Sequence, residues 1–397
     1  MTAPPSVHVR SAVIVEMLQT LVRIPSVNPT LVPGGAGERD IAECLAAACS
    51  RLGLVVSQEE VAPGRPNVIA VLPGADPGRG RRLLLNGHTD TVGTGGMEDP
   101  FTPVLRGDRL YGRGSDDMKG GLAAMIGGVA AVLDAGVRPL GDVLLTFVVD
   151  EEDASIGTAA VAQSSAADAA IVTESTGLRI CLAHKGFAWV TITTQGRAAH
   201  GSDYAAGIDA IMHMGRVLSG LERLERDVLP RRAHSLLGRP SLHASTITGG
   251  EGPSTYPPTC RLLLERRMLP DETPEDVRAE MEMLLASLRG EDPRFRASAE
   301  VMLSRPGLEV NSDVPIARVL RGALTRCAGV EPQYIGQAMW YDAALLARAG
   351  IPTVIFGPAG SGAHGAVEYV DVPSVVTCAQ VLAQTIVDFC GVSTGPT

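Results

Sequence analysis

Apolar residues in the first half of the chain gather in short, nearly continuous runs: "LVVSQEEV", "NVIAVLPG", "RLLLNG", "VLLTFVVD" and "AAIVTE". Each has the length of a strand and ends in turn-forming residues, and helical spacing such as "KGGLAAMIGGVAAVLDAG" separates some of them. A strand exposed on one face alternates apolar and polar residues. Runs that stay apolar predict strands covered on both faces, as in a largely parallel sheet. Ahead of them, Ser11 to Arg51 is helical in spacing around the break "PSVNPTLVPGGAG".

Near Lys185 the texture changes. A longer β-branched run, "GFAWVTITTQG", is followed by a helix, two strands ("SLHASTITGG" and "TCRLLLERRML"), a helix after Thr273-Pro274 and a last strand, "RASAEVML". That β-α-β-β-α-β order predicts a small split-βαβ sandwich. The α/β texture then returns in "VPIARVLRGALTRC", "IPTVIF" and "VPSVVTCAQVLAQTIVDF". The expected fold is α/β: a mostly parallel-sheet domain built from residues 1–183 and 307–397, with an inserted α+β (βαββαβ) domain over residues 184–306.

Composition narrows the partners. The 397 residues suit two domains at ~100 to 200 residues each, and 45% hydrophobic with 20% charged residues is an ordinary globular balance. A formal charge of −10 argues against nucleic acid and acidic membranes as general partners. No uninterrupted apolar run approaches the ~18 to 20 residues of a membrane span, so a cytoplasmic protein is expected. Seven scattered cysteines, none in a C-x-x-C pair, suit neither a disulfide scaffold nor a thiolate metal site. Of 34 basic residues only Lys119 and Lys185 are lysine, which singles those two out.

The chemistry lies at the ends of the strands. His88 and Asp90 follow "RLLLN", Asp150, Glu151 and Glu152 follow "VLLTFVV", Glu174 follows "AAIVT", and His364 lies in the loop after "IPTVIFG". Asp117 belongs to the glycine-rich "YGRGSDDMKGG" just before a helix. Taken singly, an H-x-D pair, an acidic triplet or a loop histidine is an ordinary feature of a solvated turn. Together they sit where open α/β sheets collect functional residues, at the carboxyl ends of strands. His88, Asp117, Glu152, Glu174 and His364 form a nitrogen–oxygen set suited to zinc, with cobalt or manganese tolerated, and a carboxylate shared by two ions is a common arrangement. Asp90 is placed to orient His88, and Glu151 is left as a general base. There is no phosphate loop, dinucleotide fingerprint or nucleophile elbow.

The stretches "GHTDTV", "YGRGSDDMKGG", "VVDEED", "VTES", "GRAAHGS", "ERRMLP" and "FGPAGSGAHGAVEYV", in that order, resemble the zinc-dependent metallopeptidase and aminoacylase family that includes acetylornithine deacetylase, succinyl-diaminopimelate desuccinylase and carboxypeptidase G. The resemblance implies a homodimer whose inserted domain is both lid and dimerisation domain. It makes Asp117 the bridge between two zinc ions, giving one ion His88 and Glu174 and the other Glu152 and His364, and it places a cis peptide after Asp117. Glu151 matches the general acid/base that deprotonates the metal-bridging water, and Asp90 the carboxylate that orients His88. His200 matches a lid histidine that reaches the partner subunit's active site, and Arg267 an arginine that holds the substrate carboxylate. On spacing alone, His200 is a turn histidine and Arg267 a strand arginine.

The chain departs from the family at Ser254 and Thr255, where many members carry Asn, and at Lys185, where desuccinylases carry Arg. A lysine is a mobile point charge and reads a carboxylate less strictly than a guanidinium fork. The expected activity is cleavage of the acyl amide of an N-acyl amino acid. The alternatives are a metallo-carboxypeptidase or dipeptidase of the same fold and, in another class, an inactive binding or regulatory relative.

Overall fold

The computed structural model describes residues 7–329 and 331–392; the outermost residues of the expected first and last segments lie outside them. The described chain packs as two compact units. One holds the residues through Leu182, Val310–Ile335 and the chain from Tyr341 onward; the other holds Ala183–Glu309 and Gly336–Trp340.

In the first unit a mixed sheet runs in the order Val55–Ala62, Arg65–Leu72, Val143–Val148, Leu83–His88, Ala169–Val172, Thr353–Ile355, Ile180–His184. Leu83–His88 is parallel to both its neighbours, and Thr353–Ile355 is parallel to Ala169–Val172. Among the pairings described, these four central strands pair in parallel, whereas Val55–Ala62 with Arg65–Leu72, Arg65–Leu72 with Val143–Val148, and Thr353–Ile355 with Ile180–His184 are antiparallel. One flank is a hairpin, Val55–Ala62 turning at Gly64 (φ 76°) into Arg65–Leu72, and so short a connection can only join antiparallel strands. The parallel strands expected to be covered on both faces are buried throughout, Leu83–His88 and Val143–Val148 among them.

Helices Ser11–Arg23, Gly120–Asp134 and Val372–Cys390 pack together against this sheet. The glycines of Gly120–Asp134 serve that packing: a Cβ on Gly127 would come within 2.6 Å of Ile14 Cγ1. Val372–Cys390 is long and apolar enough to span a bilayer, but it is a core helix, packed on Gly120–Asp134 and Pro315–Ala328. A third element, absent from the sequence expectation, is a small sheet of Val104–Arg106, Arg109–Tyr111, Tyr369–Asp371 and Gly360–Ser361. Strands of two or three residues are too short to show a period.

The second unit is an antiparallel sheet in the order Ser241–Gly249, Thr259–Met268, Gly186–Gln195, Arg296–Arg305. Ala188, Val190 and Ile192 pack with Val217, Met281 and Leu285 of helices Ala210–Arg223 and Pro274–Glu291. The second helix starts with a capping box in which Thr273 and Asp276 bond each other's backbone N–H.

Candidate active site

Four adjacent parallel strands deliver their following residues to one edge of the first unit's sheet. His88 ends its strand, Asp150–Glu152 follow Val143–Val148, Glu174 follows Ala169–Val172, and His364 lies beyond Thr353–Ile355. Asp117 sits in the bulged turn Ser115–Lys119, and the Asp117–Met118 peptide is cis. The two oxygens of Asp117 face two imidazoles: Oδ1 is 3.0 Å from His88 Nε2 and Oδ2 is 3.1 Å from His364 Nε2. Glu174 Oε1 lies 3.4 Å from His88 Nε2, and Glu152 Oε2 lies 3.0 Å from His364 Nε2. The side chains thus form two half-sites that share Asp117.

Asp90 does more than face His88. Nδ1 of His88 donates to the backbone carbonyl of Asp90 at 3.0 Å, while the nearer carboxylate oxygen is 3.5 Å away. In the neutral ring this bond puts the proton on Nδ1 and leaves the Nε2 lone pair facing the carboxylates. The Asp90 carboxylate accepts the backbone N–H of Glu151 at 3.1 Å and of Glu152 at 3.2 Å. It therefore fixes the segment that carries both the candidate base and one half-site ligand.

Glu368, buried to 1% exposure, secures the other side. Its Oε1 accepts the N–H groups of Asp116 (2.9 Å) and Asp117 (3.1 Å), and Oε2 accepts Gly114 N–H (2.9 Å) and Arg113 Nη1 (2.6 Å). Arg113 in turn donates to the carbonyls of Gly93 and Gly365, tying the Asp117 turn to the His364 loop. Asp150 and His364 hold left-handed backbone (φ 70° and 63°), a strained choice for non-glycine residues that collects at functional sites.

Burial and crowding set the charges. Burial, with Asp117 adding, pushes the Glu152 carboxyl up to about 7, and burial raises Glu174 to about 7 against the pull of His88. Burial lifts Glu151 well above the ordinary range, against His88. Burial opposes ionisation of Asp117 too, but hydrogen bonds from His364 and His88 hold it low. His364 is raised to about 10 by Asp117 and Glu152. The cluster is short of positive charge, which favours its protonated forms.

A cation fits this donor set. Glu152 Oε1 is buried with no hydrogen-bond partner among the described residues, a costly state that an ion would relieve. His88, Asp117 and Glu152 each present one donor atom within 4.8 Å of the others, as do His88, Glu151 and Glu174. That second grouping draws Glu151 in beside Glu174, although among the described residues no histidine contact like those of the half-sites is made by Glu151. The residues that could hold an ion are therefore Asp117, Glu152, Glu174 and the two histidines, with Glu151 beside them.

His200, Arg267 and Lys185 belong to the second unit. His200 is exposed, with Ser202 Oγ 2.8 Å from Nδ1, beside a bridge to Thr255. Arg267 pairs with Glu265 at 2.7 Å and stands 5.5 Å over the Phe187 ring. Lys185 is buried and donates from Nζ to the Arg239 carbonyl at 2.6 Å; burial and the neighbouring Arg239 and Arg267 lower its basicity. Glu368, Arg113 and Asn28, by contrast, are parts of the site that sequence reasoning passed over. They lie inside or beside recognisable stretches, but their partners are far away in the chain.

An α/β sheet whose carboxyl edge gathers two imidazoles around a shared carboxylate is the arrangement of a metal-dependent hydrolase. The chain belongs to peptidase family M20/M25/M40, whose sequence profile matches residues 84–388, and it is an amidohydrolase or peptidase of that family. It is 27% identical over 407 residues to the N-formyl-4-amino-5-aminomethyl-2-methylpyrimidine deformylase of Bacillus subtilis (strain 168), covering 95% of this chain and 94% of that one. It is 30% identical over 334 residues to the acetylornithine deacetylase of Myxococcus xanthus, covering 82% and 84%. Among solved structures, a tripeptidase from Staphylococcus aureus superposes with a TM-score of 0.80 at 20% identity, over 96% of this chain and 99% of that one.

Proposed function

We propose that this chain is a two-metal amidohydrolase, with zinc as its metal, that cleaves the acyl amide bond of an N-acylated amino acid. The observation that carries the reading is Asp117, whose two oxygens address His88 and His364 separately while Glu174 and Glu152 attend one half-site each. The deformylase and deacetylase relatives, both cleaving simple acyl groups by name, favour an acyl amide over a peptide.

His88, Asp117 and Glu174 would hold one ion, and Glu152, His364 and Asp117 the other. When bound, the metal pair supplies Lewis acidity toward the amide carbonyl and makes water acidic enough to attack at neutral pH. Glu151 takes the proton of the attacking water and returns it to the departing nitrogen as the C–N bond breaks, leaving a carboxylate and an amine. Asp90 keeps Glu151 in place through its backbone N–H. His200, supplied by the second subunit of a homodimer, stabilises the oxyanion, and Arg267 binds the substrate carboxylate. Lys185, anchored on the Arg239 carbonyl, adds positive charge beside Arg267.

The test is purified protein, loaded with zinc or cobalt and screened by mass spectrometry against N-acetyl, N-succinyl and N-formyl amino acids and dipeptides. Metal-dependent release of free amino acid from an acyl derivative is expected. Turnover of dipeptides alone would replace this reading with a peptidase.

A further inference from the structure

Beneath the half-sites lies a buried polar chain of which the proposed chemistry uses only Asp90. Glu38, Asp150 and Asp90 are three carboxylates at 0%, 2% and 1% exposure. Such a group is tolerated in an interior only where donors meet it. Arg65 supplies some of them, chelating Glu38 through Nε and Nη2 and reaching Asp150 Oδ1 from Nη1 at 2.7 Å. Backbone N–H groups supply others, those of Glu151 and Glu152 to Asp90 and that of Ala154 to Asp150 Oδ2, and Asn28 joins the two carboxylates: its Nδ2 donates to Asp90 Oδ2 at 2.8 Å and to Asp150 Oδ1 at 3.1 Å. The carboxamide cannot turn over without loss, because its Oδ1 accepts Thr30 N–H at 2.9 Å. Asn28 thus presents a fixed two-proton donor to two buried anions, one of which holds the N–H groups of Glu151 and Glu152.

We infer that Asn28 is a positioning residue for the metal centre, acting through Asp90: it locks the Asp90 carboxylate in the rotamer that aims Glu151 and Glu152. The inference rests on the two-metal reading. The two carboxylate oxygens of Asp90 serve two backbone N–H groups and Asn28 at once, beside the His88 ring. With the Asn28 donor gone, Oδ2 is left with the Glu152 N–H alone of the two donors it shares, the carboxylate is held less firmly, and the segment bearing the base and a ligand loses its register. Asn28 lies in the break "PSVNPT", on no strand of the sheet, so its side chain reaches the site only because backbone hydrogen bonds hold the segment. Asn28 N–H donates to Thr91 O at 2.9 Å, and Thr91 N–H to Ser26 O at 2.9 Å.

The test compares Asn28→Ala, Asp90→Ala and the double variant with wild type by chelator competition for zinc, with kcat and KM measured on a substrate found in the screen. Asn28→Ala is expected to weaken zinc binding by about 10- to 100-fold and to lower kcat in the metal-saturated enzyme while KM moves little. In the Asp90→Ala background the same change is expected to have almost no further effect on affinity, because its route is already cut. Effects that simply multiply would overturn the inference, as would unchanged zinc affinity accompanied only by a lower melting temperature. Should Asn28→Ala fail to fold, Asn28→Ser keeps one donor and is expected to fall between it and wild type; full wild-type affinity in that variant would also overturn the idea. A wild-type protein that binds no zinc would instead bring down the two-metal reading, and this inference with it.

Discussion

Replacing Glu368 by glutamine tests the site where its geometry is most interlocked. The carboxylate accepts the N–H groups of Asp116 and Asp117 on one oxygen and those of Gly114 and Arg113 on the other. Glutamine has the same shape but offers one acceptor oxygen and an NH2 group, so two donors must face a donor. A buried donor left unsatisfied costs about 1–3 kcal/mol, and breaking a buried ion pair from one side costs about 3–5 kcal/mol. Arg113 is counted in both, so the terms overlap, and burial already raises the Glu368 carboxyl, which lowers what is lost when its charge goes. Arg113 also keeps the Gly93 and Gly365 carbonyls. The expected loss is about 3 kcal/mol of first-unit stability, together with zinc binding weaker by about 10-fold or more through the displaced Asp117 turn. Urea unfolding of the metal-free protein should be followed by far-ultraviolet circular dichroism, because Trp189 and Trp340, the only two tryptophans, both lie in the second unit. A loss below about 1 kcal/mol, the worth of a single ordinary hydrogen bond, would refute the view that Glu368 carries the turn.

Further outcomes follow from the same residues. Glu151→Gln should retain its metal while kcat falls by about 100- to 10,000-fold; turnover near wild type would remove Glu151 from its role. Zinc needs neutral imidazole and ionised carboxylate, whereas in the metal-free protein His364 keeps its proton up to about 10 and Glu152 up to about 7. Binding should therefore tighten as pH rises and release protons, read by calorimetry in buffers of different ionisation enthalpy; no release would contradict the charge assignment. Lys119, 1% exposed, is lowered by burial from 10.5 to about 7, so between those values the unfolded chain binds more protons and stability rises with pH. Lys119→Met should flatten that slope, whose full span is as much as about 5 kcal/mol. Mixing His200→Ala with Glu151→Ala subunits should restore activity in the heterodimer if His200 acts across a subunit boundary, and a dead mixture would argue that it does not.

The residues gathered at the sheet edge were plainer in the sequence than what holds them. His88, Asp150–Glu152, Glu174 and His364 follow apolar runs, so their grouping at one edge could be read from strand ends. Nothing in spacing pairs Glu368 with Arg113, 255 positions away, or Asn28 with Asp90, 62 positions away. Such partners are chosen by three-dimensional closeness, and a lone Asn or Glu near a turn has a dozen ordinary explanations. Asp90 illustrates the limit: its pairing with His88 was legible, but its backbone carbonyl takes the ring proton while the carboxylate holds the neighbouring segment. The antiparallel flank escaped for a different reason. Val55–Ala62 is largely exposed, and the two-residue turn behind it decides the direction of pairing more than its own pattern does.

Thr353–Ile355 lies between Ala169–Val172 and Ile180–His184 in the sheet, although it is made long after both. During synthesis the first unit must therefore wait with a gap at its centre while the whole of Ala183–Glu309 emerges. Domains fold as units in order of appearance, so the inserted unit can complete itself before the unit that encloses it in sequence. His364 arrives still later, beyond that strand. A nascent chain can bring His88, Asp117, Glu152 and Glu174 together, but the second half-site is finished only once the loop beyond Thr353–Ile355 has emerged.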